Sequence, residues 1–170
     1  MRHDYCIKSE NILLRPITAQ DIEMTRLWRN RDEIRKCFLF DKIISAEQQI
    51  NWFDKYLNQC NDLMFIIEEV AQLKSSIGTV ALYNINKHTS DAEFGRLIIG
   101  EVNASGRGLA LKATKAICEF AFNTLGMDRI YLEVFKDNIK AKNLYEKAGF
   151  YCESERVYEG RELIKMILNH

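Results

Sequence analysis

The sequence predicts an α/β fold (an α+β mixed sheet) with helices packed on both faces. Three observations predict it. Stretches rich in β-forming residues alternate with apolar patterns of helical period along the 170 residues. Polar and glycine-bearing turn signals separate them, and the chain has a single proline. The 47% hydrophobic content suits one domain, residues 1–170, with its own core and no linker or repeat.

Ile12, Leu13, Leu14 and Arg15 read as a first strand, stopped by Pro16. Thr18 opens a helix, with Asp21 where a capping-box acid reaches back. Ile22, Met24, Leu27 and Trp28 give that helix an apolar face. Ser45 and Gln48 form a second capping box, ahead of a helix bearing Ile50, Trp52, Phe53, Tyr56 and Leu57. Residues 63–70 and 77–82 are strands joined by a polar loop. Residues 84–90 form a second loop, and 92–100 a further strand. A helix then begins near Gly108, with Leu109, Leu111, Ala113, Ala116, Ile117 and Phe120 at helical spacing. Residues 130–135 alternate as a strand, and 139–148 form a short helix with Gly149 at its C′ position. Two closing strands, 150–157 and 163–168, flank a turn at Glu159-Gly160.

Charge and composition exclude several functions. The 24 basic residues balance 24 acidic ones, which argues against the basic face of a nucleic-acid binder. There is no apolar run long enough to span a bilayer, and the N-terminus lacks the apolar centre of a signal peptide. A cytoplasmic protein without membrane or nucleic-acid partners is expected. Five scattered cysteines, no Cys-X-X-Cys pair and only three histidines argue against a metal site or a disulfide framework.

The chemistry gathers at two loops. Gly106-Arg107-Gly108 stands directly before a helix, whose first N–H groups and dipole favour an anion. The motif lacks the third glycine of a dinucleotide fingerprint and the Gly-Lys-Ser/Thr of a P-loop. Alone it fits a phosphate pocket or an ordinary tight turn into a core helix. The second loop is Lys136-Asp137-Asn138. Were the strands before these loops parallel neighbours, their ends would part into a crevice suited to a ligand. A pyrophosphate at the helix start would extend its tail along the backbone of Leu97, Ile98 and Ile99, with Asn138 placed to bond an amide in it. Tyr145 lies on the next helix.

Glu93-Phe94-Gly95, Ser105-Gly106-Arg107-Gly108-Leu109-Ala110, and Asn138 with Ala141 and Leu144-Tyr145-Glu146-Lys147-Ala148-Gly149-Phe150 resemble the GNAT (Gcn5-related) N-acetyltransferases. The resemblance runs from Leu14 to Met166. It implies a splayed central sheet, acetyl-CoA as donor and a small-molecule primary amine as acceptor. It places the pyrophosphate on Ser105, Gly106, Arg107, Gly108, Leu109 and Ala110, and the pantetheine on Leu97 to Ile99. Asn138 and Asn143 join the coenzyme site, and Tyr145 becomes the acid for the leaving thiolate. Ser105 departs from the Gln or Arg common in the family. Glu93 is the candidate base, through water; its other reading is a solvated strand-end charge. Tyr145 also reads as a core tyrosine.

The acceptor is expected over the first two helices, at Trp28, Arg29, Asn30, Trp52 and Phe53. Aromatic faces stack on a base or sugar, and an arginine fork pairs with phosphate. The aromatic residues read equally as core. These residues resemble the subgroup acetylating nucleotide-linked amino sugars, such as the 4-amino sugar of pseudaminic acid synthesis. Resemblance to spermidine and ribosomal-protein N-terminal acetyltransferases leaves a polyamine or a peptide amine as alternatives. A coenzyme-binding regulatory module is the alternative outside the enzyme class. The family also suggests a homodimer.

Overall fold

The computed structural model describes residues 3–170. Among them, eight strands form one sheet in the order β1-β2-β3-β4-β5-β6-β8-β7. The strands are β1 (Ile7–Ser9), β2 (Ile12–Pro16), β3 (Leu63–Glu69), β4 (Ser75–Asn86), β5 (Asp91–Ile99), β6 (Arg129–Phe135), β7 (Tyr151–Tyr158) and β8 (Arg161–Asn169). The helices are α1 (Ile22–Asn30), α2 (Asp32–Arg35), α3 (Ala46–Leu57), α4 (Leu109–Asn123) and α5 (Ile139–Ala148). The mixed sheet with helices on both faces is the architecture expected. Strand β1 and helix α2 are additions, each too short for a periodic signal. Strand β4 also outruns its expected end. Asn84 has the positive φ of a turn residue (51°), yet pairing resumes beyond it at Asn86↔Asp91.

Strand β3 shows why the sheet has two covered faces. Leu63, Phe65 and Ile67 point into the larger core cluster, while Met64 and Ile66 point into a smaller one. A strand buried on both sides reads as a continuous apolar run rather than an alternating one. Each such fully buried side chain contributes about 1.5–3 kcal/mol. Helix α4 covers the first face with Ala113, Ala116, Ile117, Phe120 and Ala121. The second face is covered by α3, through Phe53 and Tyr56. Ser45 and Gln48 form the expected capping box of α3, with bonds of 3.1 Å and 2.8 Å. Asp21 does reach back to the Thr18 amide (2.8 Å), but the regular helix starts only at Ile22.

Strands β5 and β6 run parallel and pair at only three positions, Asp91↔Arg129, Ala92↔Ile130 and Glu93↔Tyr131. Beyond Glu93 they part. The cause lies on the other edge of β5. Pairing with β4 steps from Ala81↔Gly95 to Thr79↔Ile98, so β5 carries one more residue than its partner. Arg96 takes up the extra length with φ 50°. Such a bulge bends and twists its strand, here turning the end of β5 away from β6. Opposite the bulge only glycine fits, because a Cβ on Gly78 would lie 1.9 Å from the Ile98 carbonyl oxygen.

The β3–β4 turn is held by one buried carboxylate. Glu69 accepts from the amides of Ala71, Gln72 and Leu73 and from the Asn11 side chain. Burial alone would raise its pKa, but these bonds outweigh it and hold the carboxyl at about 2. A lowered carboxyl pKa stabilises the fold above its unfolded value of 4.5, and that contribution fades as pH falls toward 2. The melting-temperature gap between the wild type and Glu69→Gln should therefore be widest above pH 5 and shrink steadily between about 4.5 and 2. A gap independent of pH would contradict this role.

Candidate active site

Helix α4 begins at a left-handed N-cap, Gly108 (φ 73°), two residues after Gly106 (φ 75°). Its first intrahelical bond runs from Lys112 N–H to the Gly108 carbonyl. The amides of Leu109, Ala110 and Leu111 thus lack a helical acceptor. No acidic residue sits in this first turn. A Cβ at either glycine would meet nothing within 4 Å, so the turn leading into the helix is uncovered. Arg107 donates to the neutral amide oxygen of Gln72, which leaves its charge uncompensated. Exposed Ser105 stands at the same mouth. Open amides, an unopposed dipole and a free cation suit a diphosphate.

From this mouth, β5 runs with Ile98 and Ile99 paired to β4 on one side, Leu97 lying in the bulge, and without a ladder to β6 on the other. That free edge offers backbone groups to an extended, amide-bearing tail. On the far side stands α5. Its N-cap Asn138 spends its oxygen on the Ala141 amide (3.2 Å), leaving its nitrogen available. Asn143 lies exposed on the same helix.

Tyr145 is aimed by the way α5 stops. Gly149 (φ 102°) bonds back to the Glu146 carbonyl, and Phe150 to the carbonyl of Tyr145 itself, both at 3.0 Å. This is the Schellman arrangement, which brings the residue after the glycine against the last turn. Accordingly the Tyr145 ring packs edge-on to Phe150 (6.0 Å) and to Phe94 (5.7 Å). Among the described residues its hydroxyl has no hydrogen-bond partner. Burial pushes the phenol well above its usual pKa, with a smaller push from Cys37. It therefore stays protonated at neutral pH, as a donor must.

Ala92 and Phe94 face α4 and the larger core, so Glu93 faces the opposite side of the sheet. Its two oxygens accept from the Tyr83 hydroxyl (2.9 Å) and the Asn84 amide (2.8 Å). Tyr145 and Glu93 thus flank the parting of β5 and β6 from opposite faces.

On the Glu93 face lies a cavity of about 460 Å³. Helices α1 and α3 supply Thr25, Arg29, Gln48, Gln49 and Trp52 to its walls. Sheet residues Met64, Thr79, Arg96 and Ile98 form the floor, and Phe38, Phe40 and Ile44 close it from the segment between α2 and α3. That segment is tied by its backbone. Arg29 donates to the Phe40 carbonyl, Arg35 to that of Asp41, and Arg26 and Asn30 to that of Ile44. Arg29 also lies 3.9 Å over the Phe38 ring, with one guanidinium nitrogen buried and unpartnered. Burial, with Arg35 nearby, lowers its pKa. Arg96 pairs with buried Asp62 at 2.7 Å.

Of the expected acceptor residues, Arg29 and Trp52 reach this cavity and three do not. Trp28 is buried against Gly100, where a Cβ would lie 2.1 Å from the indole. Asn30 spends its side chain on both backbone groups of Ile44. Phe53 fills the smaller core. Helical spacing marks an apolar stripe without saying which of its residues meets a cavity. Arg96, Thr79, Phe38 and Phe40 went unmarked. The available signals were an arginine breaking an apolar strand and two aromatics in a segment without helical period. Among the described residues no cluster could hold a metal, and no helix is long and apolar enough to cross a membrane.

Comparison with known proteins agrees with this geometry. The acetyltransferase (GNAT) domain family matches residues 11–151. The spermidine N(1)-acetyltransferase of Escherichia coli K12 is 27% identical over 151 residues, 89% of this chain and 78% of the enzyme. The acetyltransferase PseH of Campylobacter jejuni strain 81-176 is 30% identical over 144 residues, 84% of this chain and 85% of that one. The crystal structure of Vibrio cholerae spermidine N-acetyltransferase with CoA and spermine superposes with a TM-score of 0.84, at 26% identity, covering 95% of this chain and 96% of that one. Beside the open helix start, the parted strands and the half-buried phenol, these matches give the conclusion: the chain belongs to the GNAT family and is an acetyl-CoA-dependent N-acetyltransferase.

Proposed function

We propose that the acceptor is the primary amine of a nucleotide-linked amino sugar, of the 4-amino type met in pseudaminic acid synthesis. One observation carries this reading: the cavity walls hold two arginines, Arg29 and Arg96, and no carboxylate. A polyamine there would meet two guanidinium groups and no wall carboxylate, whereas a phosphate would be matched by the charge of Arg29. Trp52 offers an aromatic face to a base or sugar ring. The likeness to spermidine acetyltransferases over nearly the whole chain favours a second reading, a polyamine acceptor. Cytoplasmic location and pairing of two copies belong to the same proposal.

In this reading Ser105, Gly106, Arg107, Gly108, Leu109 and Ala110 hold the pyrophosphate of the donor. The free edge of Leu97, Ile98 and Ile99 holds its tail, assisted by Asn138 and Asn143. Tyr145 donates to the leaving sulfur, and Glu93 is the final acceptor of the amine proton. Bringing amine and thioester together at one opening supplies much of the rate.

Thiol release from acetyl-CoA in the presence of a nucleotide-linked 4-amino sugar, spermidine or a peptide α-amine discriminates the acceptors. Turnover of the sugar is expected, and turnover of spermidine alone would refute the reading. Arg29→Met should raise the KM of the sugar roughly 10- to 100-fold, the worth of one charged hydrogen bond, at unchanged KM for acetyl-CoA. Tyr145→Phe should lower kcat about 100-fold or more while melting like the wild type. Gly108→Ala forces a left-handed alanine, at a cost of about 1–2 kcal/mol. It should also raise the KM for acetyl-CoA, read by initial rates.

A further inference from the structure

Tyr83 has a position that its place in strand β4 does not require. A Cβ on Gly95 would lie 2.6 Å from its hydroxyl oxygen. The phenol oxygen therefore rests on the β5 backbone two residues past Glu93, where the pairing with β6 ends. Glycine at 95 is what admits it. The ring packs against the smaller core cluster, on the cavity face of the sheet. Arg96, part of the cavity floor, sits 4.5 Å over that ring. Behind it, the hydroxyl donates to Glu93 at 2.9 Å. Neither Tyr83 nor Glu93 is among the cavity walls; Arg96 is, and the phenol oxygen sits behind it beside Gly95, where the strands part. The order from cavity inward is thus Arg96, Tyr83, Glu93.

We propose that Tyr83 takes the proton of the attacking amine and passes its own to Glu93. This rests on the reading of Glu93 as final proton acceptor. Charged groups facing the phenol are Glu93, Arg96 and the Asp62 paired with Arg96. Burial first, then the Glu93 charge, push the phenol far above its usual pKa. Tyr83 therefore does not wait as a phenolate; it accepts a proton only while it gives one up. As the amine nitrogen bonds to the acetyl carbon, the amine proton moves to the Tyr83 oxygen and the Tyr83 proton moves to Glu93. The carbon–sulfur bond breaks, and the sulfur takes the proton of the Tyr145 hydroxyl. Glu93 then releases its proton to solvent on the exposed Asn84 side, and Tyr145 recovers one from solvent.

The test uses the full chain, acetyl-CoA and n-propylamine, a bare primary amine that makes no demand on acceptor recognition. Wild type, Tyr83→Phe, Glu93→Gln and the double variant are compared by thiol release and by thermal melting. Tyr83→Phe keeps the ring under Arg96, so its melting temperature should match the wild type. Its kcat should fall about 100-fold with the KM for acetyl-CoA unchanged. The double variant should be no slower than the slower single one, as expected for two members of one relay. A kcat for Tyr83→Phe within about threefold of wild type, or losses that multiply in the double variant, would overturn the proposal. A wild-type rate in Glu93→Gln beside a slow Tyr83→Phe would overturn it as well, by removing the final acceptor. Failure of the nucleotide sugar as substrate leaves these ratios untouched.

Discussion

One extra residue in β5 is the constraint on which the site depends. A sheet gains from continuing its ladder, and β5 and β6 begin as ordinary parallel partners. The bulge at Arg96 ends that partnership. It is stabilised locally by the Thr79 hydroxyl on the Arg96 carbonyl (2.7 Å) and by Asp62 on the guanidinium (2.7 Å). A non-glycine residue at positive φ costs about 1–3 kcal/mol and persists where its surroundings over-determine it. Here the return is a slot through the sheet with unpaired backbone along one lip. The same distortion delivers the Arg96 side chain to the cavity floor, so opening the slot and placing a cation in the cavity are one structural event.

The slot joins two environments that the sheet otherwise keeps apart. On the α4 face, helix amides and Arg107 suit a diphosphate, and an apolar wall of Phe94 and Phe150 surrounds Tyr145. On the other face, hydrogen-bonded polar groups surround Glu93 and Tyr83. The Tyr145 phenol is set among aromatic rings. The Glu93 carboxylate is set among hydrogen-bond donors. The separation follows from strand alternation alone, since adjacent residues Glu93 and Phe94 must face opposite ways.

Much of this was legible in the chain. The Ser45–Gln48 box, the helix closed by Gly149 and the glycines before α4 are local devices, and local chemistry decides them. The signature Leu-Tyr-Glu-Lys-Ala-Gly-Phe is legible for a physical reason: it is a helix stop whose own carbonyl and ring contacts fix the tyrosine. The acceptor side was less legible. Trp28 and Trp52 carry the same spacing signal, yet one lies on Gly100 and the other on the cavity. Which stripe meets a void depends on how α1 and α3 sit over the sheet, and no local pattern encodes that. The bulge was hidden too, because an arginine gives no glycine-like sign of positive φ.

The segment over the cavity carries a different consequence. Arg26, Arg29, Asn30 and Arg35 grip it by main-chain carbonyls, which every amino acid possesses. Its route is therefore indifferent to the identities of Phe40 and Ile44, two of the three residues that shape the roof, while the third, Phe38, adds a ring under Arg29. Shape and scaffold are uncoupled at this point: a descendant of this gene is free to recut the hollow by redrawing those two side chains, without redesigning the arch that carries them.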